Sequence, residues 1–296
     1  MTGIIGYYIF FGLNWLITLL PLKVLYLFSD FFFIFVFYFP GYRRKVVAEN
    51  LKNSFPEKTK EELAIIEKKF YHHFCDLIVE IAKLTHISRS QLKKRMKLNN
   101  PQLINKLYDE GRDIIAIFAH YGNWEWTNIL SLHVSPRVVP VYKPLNNKFF
   151  DRFMLNMRSK NDCRPVPMSN VIREIILNRN DNKRGIYGIM SDQTPPLPDI
   201  KFRTKFLNQD TPVYTGAEKI AVKYDMAVVF LKIQKVKRGY YEITFELLFE
   251  HTNGVPEHLI TQTHVKRLEE IIVEKPEYWL WTHRRWKHKR LNNPDD

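Results

Sequence analysis

Six apolar residues in succession, 114–119, are followed directly by a short run of polar and aromatic residues, 120–125. An unbroken apolar run of this length predicts a strand that is buried on both faces of a sheet. His120 and Glu125 come just after it, and Asn123 is a favourable N-cap for a following helix. In an open α/β sheet, ligands bind at the carboxyl ends of the strands. We therefore expect the functional site at this point of the chain.

Predicted strands and helices alternate through the middle of the chain, an order typical of a parallel sheet covered by helices. A predicted hairpin near the end adds two antiparallel strands. The fold class is therefore α/β, with a mixed, mostly parallel sheet flanked by helices. The predicted strands span residues 114–119, 137–142, 185–190, 226–235 and 240–249, and the predicted helices span 60–84, 123–132, 146–160, 169–178, 215–224 and 257–274.

Residues 1–42 are almost free of charge, with one basic residue and one acidic residue, Asp30. About 20 apolar residues suffice to span a bilayer, so this segment predicts an N-terminal membrane anchor. Pro21 and Asp30 leave three alternatives: a spanning helix, a helical hairpin lying in the interface, or a hairpin buried in a soluble protein. The basic residues 43–45 predict that the domain formed by residues 43–296 lies on the cytoplasmic side.

The chain carries 45 Lys and Arg against 31 Asp and Glu, a net charge of +14. This excess favours an anionic partner, namely an acidic protein, an anionic lipid or nucleic acid. Nucleic acid is disfavoured because the sequence contains no nucleic-acid-binding motif. The basic tail 283–290, interleaved with Trp279, Trp281 and Trp286, favours contact with phosphorylated headgroups or an acidic carrier protein at a membrane interface. The tail can equally be an exposed terminal charge run.

The spacing of His120 and Glu125 fits acid–base chemistry. A neutral imidazole can deprotonate a hydroxyl if one ring nitrogen faces the hydroxyl and the other donates to a carboxylate. Gly122 permits the turn that would bring Glu125 back to His120, and a helix N-terminus offers amides for an oxyanion. Both residues can also be structural. A strand-end histidine can simply be hydrogen-bonded in the core, and the helix dipole alone favours a glutamate in the first turn.

Motifs along nearly the whole chain form one recognisable pattern. They are an Arg-rich segment at 42–51, Ser-Phe-Pro-Glu at 54–57, His-x4-Glu at 120–125, Tyr-Lys-Pro at 142–144, Asp-Gln at 192–193 and Trp-Thr-His-Arg-Arg-Trp at 281–286. In this order they resemble the late lipid A acyltransferases, a branch of the lysophospholipid acyltransferase superfamily. Glu125 stands where glycerol-phosphate acyltransferases usually carry Asp, which favours the lipid A branch.

Two segments depart from the pattern of that family. Residues 158–163 lack the glycine that usually follows the helix arginine, and residues 205–208 replace the usual Phe-Phe-Gly. Lys143 also replaces the arginine of the family's Tyr-Arg-Pro. The resemblance implies that the first two segments shape the acceptor or acyl-chain site. The reaction class is therefore better defined than the substrate.

The resemblance implies a glycerol-phosphate-acyltransferase-like fold and a role for each matching residue. His120 is the implied general base, and Glu125 orients it. Asn123 and Arg158 polarise the thioester carbonyl or bind anionic groups of the acceptor, while an Asp-Gln pair holds the site from a neighbouring loop. The implied substrate-binding residues are Gly122, Asn123, Lys143, Arg158, Asp192, Gln193, Arg284 and Arg285.

The resemblance also implies a membrane-bound enzyme of the bacterial inner membrane, with residues 43–296 as a cytoplasmic catalytic domain. Its expected reaction moves a fatty acyl chain from an acyl carrier protein thioester to a hydroxyl of a lipid A precursor, with no metal or other cofactor. Coenzyme A as the donor carrier stays open, as does a lysophospholipid, an aminolipid, a glycolipid or an aryl-polyene pigment as the acceptor. A non-enzymatic membrane-associated binding protein is a further alternative, and the sequence does not predict the oligomeric state.

Overall fold

The computed structural model describes residues 2–39 and 41–288. These residues form ten α-helices, nine β-strands and several short 3-10 helices. The α-helices are α1 (Thr2–Leu19), α2 (Leu22–Tyr38), α3 (Arg44–Ser54), α4 (Lys60–Lys83), α5 (Arg89–Arg95), α6 (Gln102–Asp109), α7 (Lys148–Arg158), α8 (Val171–Asn180), α9 (Gly216–Tyr224) and α10 (Leu259–Glu274). The strands are β1 (Met96–Leu98), β2 (Ile114–Phe118), β3 (Arg137–Tyr142), β4 (Val166–Pro167), β5 (Gly185–Met190), β6 (Phe202–Phe206), β7 (Gln209–Val213), β8 (Ala227–Lys237) and β9 (Tyr240–Phe249).

Seven strands form one sheet in the order β1-β9-β8-β2-β5-β3-β4. Within this sheet the pair β8 and β9 is antiparallel, and the other neighbouring pairs are parallel. Every residue of the central strand β2 is buried, and its alternate residues enter different apolar clusters. Ala116 and Phe118 pack into one cluster, and Ile115 and Ile117 pack into the other. The predicted α/β fold with a mixed, mostly parallel sheet between helices is confirmed.

Local capping signals position two of the elements near the site. Thr59 and Glu62 form a capping box at the start of α4, with amide-to-side-chain distances of 2.7 Å and 3.2 Å. The segment after β2 differs from its prediction, because Trp124–Leu132 is a 3-10 helix rather than an α-helix. Asn123 still caps it, since its side-chain oxygen accepts a hydrogen bond from the Trp126 amide at 3.2 Å.

The hairpin of β6 and β7 is a separate two-stranded sheet that the sequence did not predict. Its turn places Leu207 and Asn208 at φ values of 48° and 62°. Two successive residues with positive φ are typical of a two-residue hairpin turn, which usually carries Asn or Gly at both positions. A leucine at the first position removes the usual signal, so the hairpin is hidden in the sequence.

Pro21 divides the N-terminal apolar segment into α1 and α2, of 18 and 17 residues. Proline lacks the amide hydrogen that would continue the helix through this point. Among the helices of residues 2–39 and 41–288, none is both long and apolar enough to cross a membrane. The spanning-helix alternative is not confirmed.

A polar network holds α2 against α4. Arg238 contacts both Asp30 of α2 and Asp76 of α4, and each Nη2–Oδ1 distance is 2.6 Å. Ser29 donates a further hydrogen bond to Asp76 at 2.8 Å. The opposite face of α1 and α2 exposes large apolar side chains, including Tyr8, Phe10, Leu13, Leu16, Leu27, Phe31, Phe32, Phe35 and Tyr38. We call these residues the apolar outer face.

Candidate active site

His120 and Asp192 occupy equivalent positions beyond two neighbouring parallel strands. His120 lies two residues after β2, Asp192 lies two residues after β5, and the strand ends Phe118 and Met190 are partners in the sheet. The two side chains therefore meet, and His120 Nδ1 lies 2.8 Å from Asp192 Oδ1. The His120 amide also donates to Asp192 Oδ2 at 3.1 Å. The strand register thus builds a histidine–carboxylate pair at the edge of the sheet.

Asp192 is ionised although it is buried. The indole N–H of Trp279 donates to its Oδ2 atom at 2.9 Å. Burial opposes ionisation, but the charge of His120 and the hydrogen bonds from His120 and Trp279 prevail and lower the Asp192 pKa to about 2. A carboxylate at Nδ1 accepts the Nδ1–H of a neutral imidazole and leaves the lone pair on Nε2. This geometry suits His120 to accept a proton at Nε2.

Glu125 forms an ion pair with Arg158. Its Oε2 atom accepts from Arg158 Nε at 2.9 Å, and its Oε1 atom accepts from the Trp124 indole at 3.2 Å. The sequence-based interpretation placed the Glu125 carboxylate at Nδ1 of His120, whereas Asp192 occupies that position. The difference is local in origin, because the 3-10 helix that begins at Trp124 directs the Glu125 side chain towards the last residue of α7, Arg158.

Trp124 contacts both the base and the ion pair. The Trp124 ring stands edge-on to the His120 ring, with the centroids 4.9 Å apart, and its indole reaches Glu125. Gln193 Nε2 lies 3.3 Å from His120 Nε2. An imidazole that can take a proton from a hydroxyl, beside a fixed guanidinium that can stabilise negative charge, suits acyl transfer.

A comparison with known protein families identifies the family of this chain. The family model described as bacterial lipid A biosynthesis acyltransferase matches residues 1–288. The chain belongs to the bacterial lipid A biosynthesis acyltransferase family. The resemblance drawn from its motifs is confirmed, and the protein is an acyltransferase. Comparison with curated proteins finds no match.

Gly122 and Asn123 shape the turn that carries the histidine of this acyltransferase. Gly122 has a φ of +63°, and a Cβ atom there would lie 3.0 Å from Ile233 Cγ2. The position therefore requires glycine for both conformation and space. Asn123 is fully buried, and its Nδ2 atom donates to Glu80 Oε2 at 2.8 Å. The structure thus engages the Asn123 side chain, which the sequence assigned to substrate, with the protein's own framework.

Glu80 is a framework residue that sequence reasoning missed. Its buried carboxylate accepts hydrogen bonds from Tyr26 of α2, from Asn123 and from Tyr241 of β9, at 2.8 Å, 2.8 Å and 2.7 Å. Burial raises the pKa of Glu80, and these hydrogen bonds act against that effect. The available signal was a glutamate inside the apolar sequence Ile-Val-Glu-Ile-Ala of the α4 pattern. Such a residue needs buried partners, but the sequence does not name them.

Three predicted basic residues of the acyltransferase lie in different environments. Lys143, just after β3, and Arg284 are exposed. Arg285 is buried, and its Nε and Nη1 atoms have no hydrogen-bond partner within residues 2–39 and 41–288. Burial lowers the pKa of Arg285 to about 10. The last basic residues of the predicted tail, Lys289 and Arg290, lie outside the described residues.

The three tryptophans near the C-terminus are core residues. Trp279, Trp281 and Trp286 are all buried, so the prediction that they lie at a membrane interface is wrong. The reason is that each indole N–H has a partner inside the protein, which for Trp281 is the Pro276 carbonyl at 2.7 Å. Trp279, which holds Asp192, is a further site residue that sequence reasoning missed, because its partner lies 87 residues away.

Proposed function

We propose that this acyltransferase moves a fatty acyl chain from an acyl carrier protein thioester to a hydroxyl of a lipid A precursor. The observation that carries the proposal is the His120–Asp192 pair, with its Nδ1–Oδ1 distance of 2.8 Å, in a member of this family. Ester formation needs a base that makes a hydroxyl nucleophilic near neutral pH, and this pair supplies one.

The proposed reaction begins with the acceptor hydroxyl hydrogen-bonded to Nε2 of neutral His120. The hydroxyl oxygen attacks the thioester carbonyl carbon while Nε2 takes the proton, and Asp192 stabilises the imidazolium that forms. The tetrahedral oxyanion then collapses and the carbon–sulfur bond breaks. The imidazolium returns its proton to the leaving thiolate. The products are the new ester and the free carrier thiol, and His120 is again neutral.

Arg158 is the proposed group that stabilises negative charge on the oxyanion or on the acceptor. Its contact with Glu125 fixes the guanidinium, so in this proposal Glu125 positions Arg158 rather than His120. Gln193 contacts the same imidazole nitrogen that the acceptor hydroxyl needs, and we propose that the hydroxyl displaces it. The buried guanidinium of Arg285 contributes positive charge that favours the ionised form of Asp192.

The apolar outer face supports attachment to the cytoplasmic surface of the bacterial inner membrane, with α1 and α2 lying in the interface. The exposed basic residues Lys143 and Arg284 suit anionic headgroups of the acceptor or the membrane. Flotation with anionic vesicles tests this proposal. We expect the wild type to float and a variant with Phe31→Ser and Phe35→Ser to remain in the dense fraction. Equal flotation of the two proteins would contradict it.

A different lipid acceptor is the second candidate, in the form of a lysophospholipid, an aminolipid, a glycolipid or an aryl-polyene pigment. The departure at residues 205–208 favours it, because this turn packs on α3 through Asn208, whose Nδ2 atom donates to the Ser54 carbonyl at 3.1 Å. The residues of this turn, which differ from the usual Phe-Phe-Gly, therefore lie against α3. Lipid profiles of a deletion strain separate the candidates. Unchanged lipid A acylation would exclude the lipid A acceptor.

Radiolabelled acyl transfer with detergent-purified enzyme tests the proposed reaction directly. The label is offered on acyl carrier protein and on coenzyme A, and the acceptors are a lipid A precursor and a lysophospholipid. We expect labelled lipid A precursor from the carrier protein donor. Label only in the lysophospholipid would refute the acceptor, and label only from coenzyme A would refute the donor. No label from any combination would refute the proposed reaction.

A further inference from the structure

We propose that residues 143–152, which lead from β3 into α7, form a second lipid-binding surface outside α1 and α2, and that this surface turns the active-site edge of the sheet towards an anionic bilayer. We call these residues the entry segment. The inference rests on the proposed attachment of α1 and α2 to the membrane. It adds a further part of the molecule that meets the lipid and, with it, the orientation of the site.

The entry segment exposes apolar and basic side chains together. The apolar ones are Leu145, Phe149 and Phe150, which are between 37% and 45% exposed, and the exposed basic ones are Lys143, Lys148 and Arg152. The one acidic residue of the segment, Asp151, accepts a hydrogen bond from the Leu145 amide at 2.8 Å. Aromatic rings suit the boundary between headgroups and acyl chains, and cations beside them suit lipid phosphates. Lysine is depleted in protein–protein interfaces, so this mixture favours a lipid surface over a protein partner.

The entry segment continues the apolar outer face of the N-terminal helices. The centroid of the Phe149 ring lies 4.9 Å from that of the Tyr7 ring. The Phe150 and Phe10 centroids are 5.4 Å apart, and Phe10 belongs to the apolar outer face. The exposed side of α1 and the start of α7 therefore form one surface, and a bilayer that lies against α1 reaches the entry segment.

Polar contacts fix α1 to the end of α4. Asn14 Nδ2 donates to Thr85 Oγ1 at 3.2 Å. Lys83 Nζ donates to the carbonyl oxygens of Thr18 and Leu20 at 2.6 Å and 2.8 Å. The lysine thereby satisfies carbonyl groups at the end of α1, where a helix leaves its last carbonyls without internal partners. Attachment of α1 to lipid therefore orients the rest of the fold with it.

Both ends of the entry segment lead to the active site. The parallel neighbours β3 and β5 pair Pro140 with Gly188, so the two strands end at the same edge of the sheet. The entry segment follows β3 at this edge, and Asp192 follows β5. In the other direction α7 runs on to Arg158, which lies eight residues, or about 12 Å along the helix axis, beyond Phe150. A lipid acceptor that meets the entry segment is therefore within a short helix length of the active-site guanidinium.

Site-specific fluorescent labels test this membrane contact without relying on activity. An environment-sensitive fluorophore is attached in turn at Asn146→Cys in the entry segment, at Phe35→Cys on the apolar outer face and at Ile172→Cys on α8. All three positions are exposed. The native cysteines, Cys75 and Cys163, are buried, so they react little with the label.

Position 172 is the control because α8 lies on the other side of the sheet. Ile175 of α8 packs in the apolar cluster of Ile115 and Ile117, whereas Phe153 of α7 packs in that of Phe118. The labelled proteins are mixed with vesicles that contain phosphatidylglycerol and a nitroxide-labelled lipid. We expect the labels at positions 146 and 35 to shift to the blue and to be quenched, and the label at position 172 to do neither.

The labels separate the inference from the proposal on which it rests. A label at position 146 that stays unquenched while the label at position 35 is quenched would overturn the inference and leave the attachment through α1 and α2 in place. If neither were quenched, the attachment and the inference would both be wrong. A blue shift at position 146 that grows with protein concentration and needs no lipid would show contact with a second copy of the chain, and would also overturn it.

Charge reversal tests whether the contact serves acyl transfer. The variant combines Lys148→Glu and Arg152→Glu, two exposed cations one helical turn apart on α7, and the matched control combines Lys219→Glu and Lys223→Glu on α9. We expect the α7 variant to lower kcat/KM by about tenfold or more for a lipid acceptor in anionic vesicles, and far less for the same acceptor in neutral detergent micelles. The control should follow the wild type with both.

Equal vesicle rates for the two charge variants would contradict the proposed orientation. A wild type that is inactive with vesicles and with micelles would instead refute the proposed acyl transfer, and the quenching of the label at position 146 alone then decides the membrane contact.

Discussion

The imidazole Nδ1 atom of His120 lies 2.8 Å from the Oδ1 atom of Asp192, although 72 residues separate the two in the chain. The contact follows from sheet topology, because β2 and β5 are parallel neighbours and each residue lies two positions beyond its strand. The pair fixes which ring nitrogen carries the hydrogen. The remaining nitrogen, Nε2, is therefore the one that can accept the proton of an acceptor hydroxyl.

Asp192→Asn should abolish most activity while preserving the fold. An amide can donate to Nδ1, which stabilises the tautomer with hydrogen on Nε2 and removes the base. We expect kcat to fall by about a thousandfold or more, as for other histidine–carboxylate pairs. Acyl-transfer kinetics check this against Asp199→Asn, an exposed carboxylate in the same loop that should behave as wild type. Comparable kinetics for the two variants would remove Asp192 from the mechanism.

The Glu125–Arg158 pair should show strong thermodynamic coupling. Arg158→Met leaves the buried Glu125 carboxylate without its main partner, and we expect it to lower the free energy of unfolding by about 3 kcal/mol. Adding Glu125→Gln should restore part of that loss, since no buried charge then remains. Urea unfolding of wild type, Arg158→Met, Glu125→Gln and the double variant measures the coupling free energy.

The matched control for that coupling is the exposed ion pair of Asp181 and Lys183, in which the distance from Lys183 Nζ to Asp181 Oδ2 is 3.3 Å. A double-mutant cycle on this exposed pair, measured in the same way, should give a coupling free energy of less than about 1 kcal/mol. Equal coupling for the two pairs would show that Glu125 and Arg158 do not form a buried pair in solution. Both single variants at the buried pair should also lower kcat, because Arg158→Met removes the guanidinium and Glu125→Gln releases it from its fixed position.

Asn123→Ala tests the framework role of the Glu80 cluster. The change removes the hydrogen bond to Glu80 and the N-cap of the 3-10 helix, and should cost about 1–3 kcal/mol of unfolding free energy. Because the turn also carries His120, we expect kcat to fall by about tenfold to a hundredfold while KM changes little. Asn105→Ala, which removes a hydrogen bond far from the site, should leave kcat unaltered. Unaltered kcat in Asn123→Ala would show that the cluster does not position the base.

The free energy of unfolding at acid pH should depend on His264. Burial lowers its pKa in the folded protein to about 4, against about 6.5 in an unfolded chain. Between these values the unfolded chain binds a proton that the folded protein does not, so stability falls as the pH falls from about 6.5 to about 4. The shift corresponds to a loss of about 3 kcal/mol.

His264→Leu should remove this contribution, so that the free energy of unfolding changes less with pH between about 4 and about 6.5. Urea unfolding at about pH 7 and about pH 4 measures it. His283, whose pKa burial also lowers to about 4, still titrates in the variant, so a smaller slope should remain. Identical slopes for wild type and His264→Leu would contradict the buried, neutral state of His264.

The sheet was predictable because its central strands carry strong local signals. The apolar run that forms β2 and the Gly-bounded run that forms β5 are visible in the sequence, and the capping box of α4 is a local motif. The β6–β7 hairpin was not predictable, since its turn has leucine at a positive-φ position. The strands β1 and β4 have three and two residues, which is too short for a periodic pattern.

The site was predictable in its members but not in its pairings. The strand-end position of His120 and the Asp-Gln pair at 192–193 are visible from the sequence and the family pattern. Their contact depends on which strands become neighbours, and short-range spacing instead favoured Glu125 as the partner of His120. Trp279 and Glu80 reach the site from elements far along the chain, so no local pattern indicates their roles.

The most direct test of the central claim compares the acyl-transfer rates of wild type, His120→Ala and His133→Ala with the same labelled donor. His133 is an exposed histidine outside the site and serves as the matched control. If His120 is the general base, His120→Ala should lose at least about a hundredfold to a thousandfold in kcat, and His133→Ala should keep the wild-type rate. Near-wild-type turnover by a folded His120→Ala protein would contradict the account.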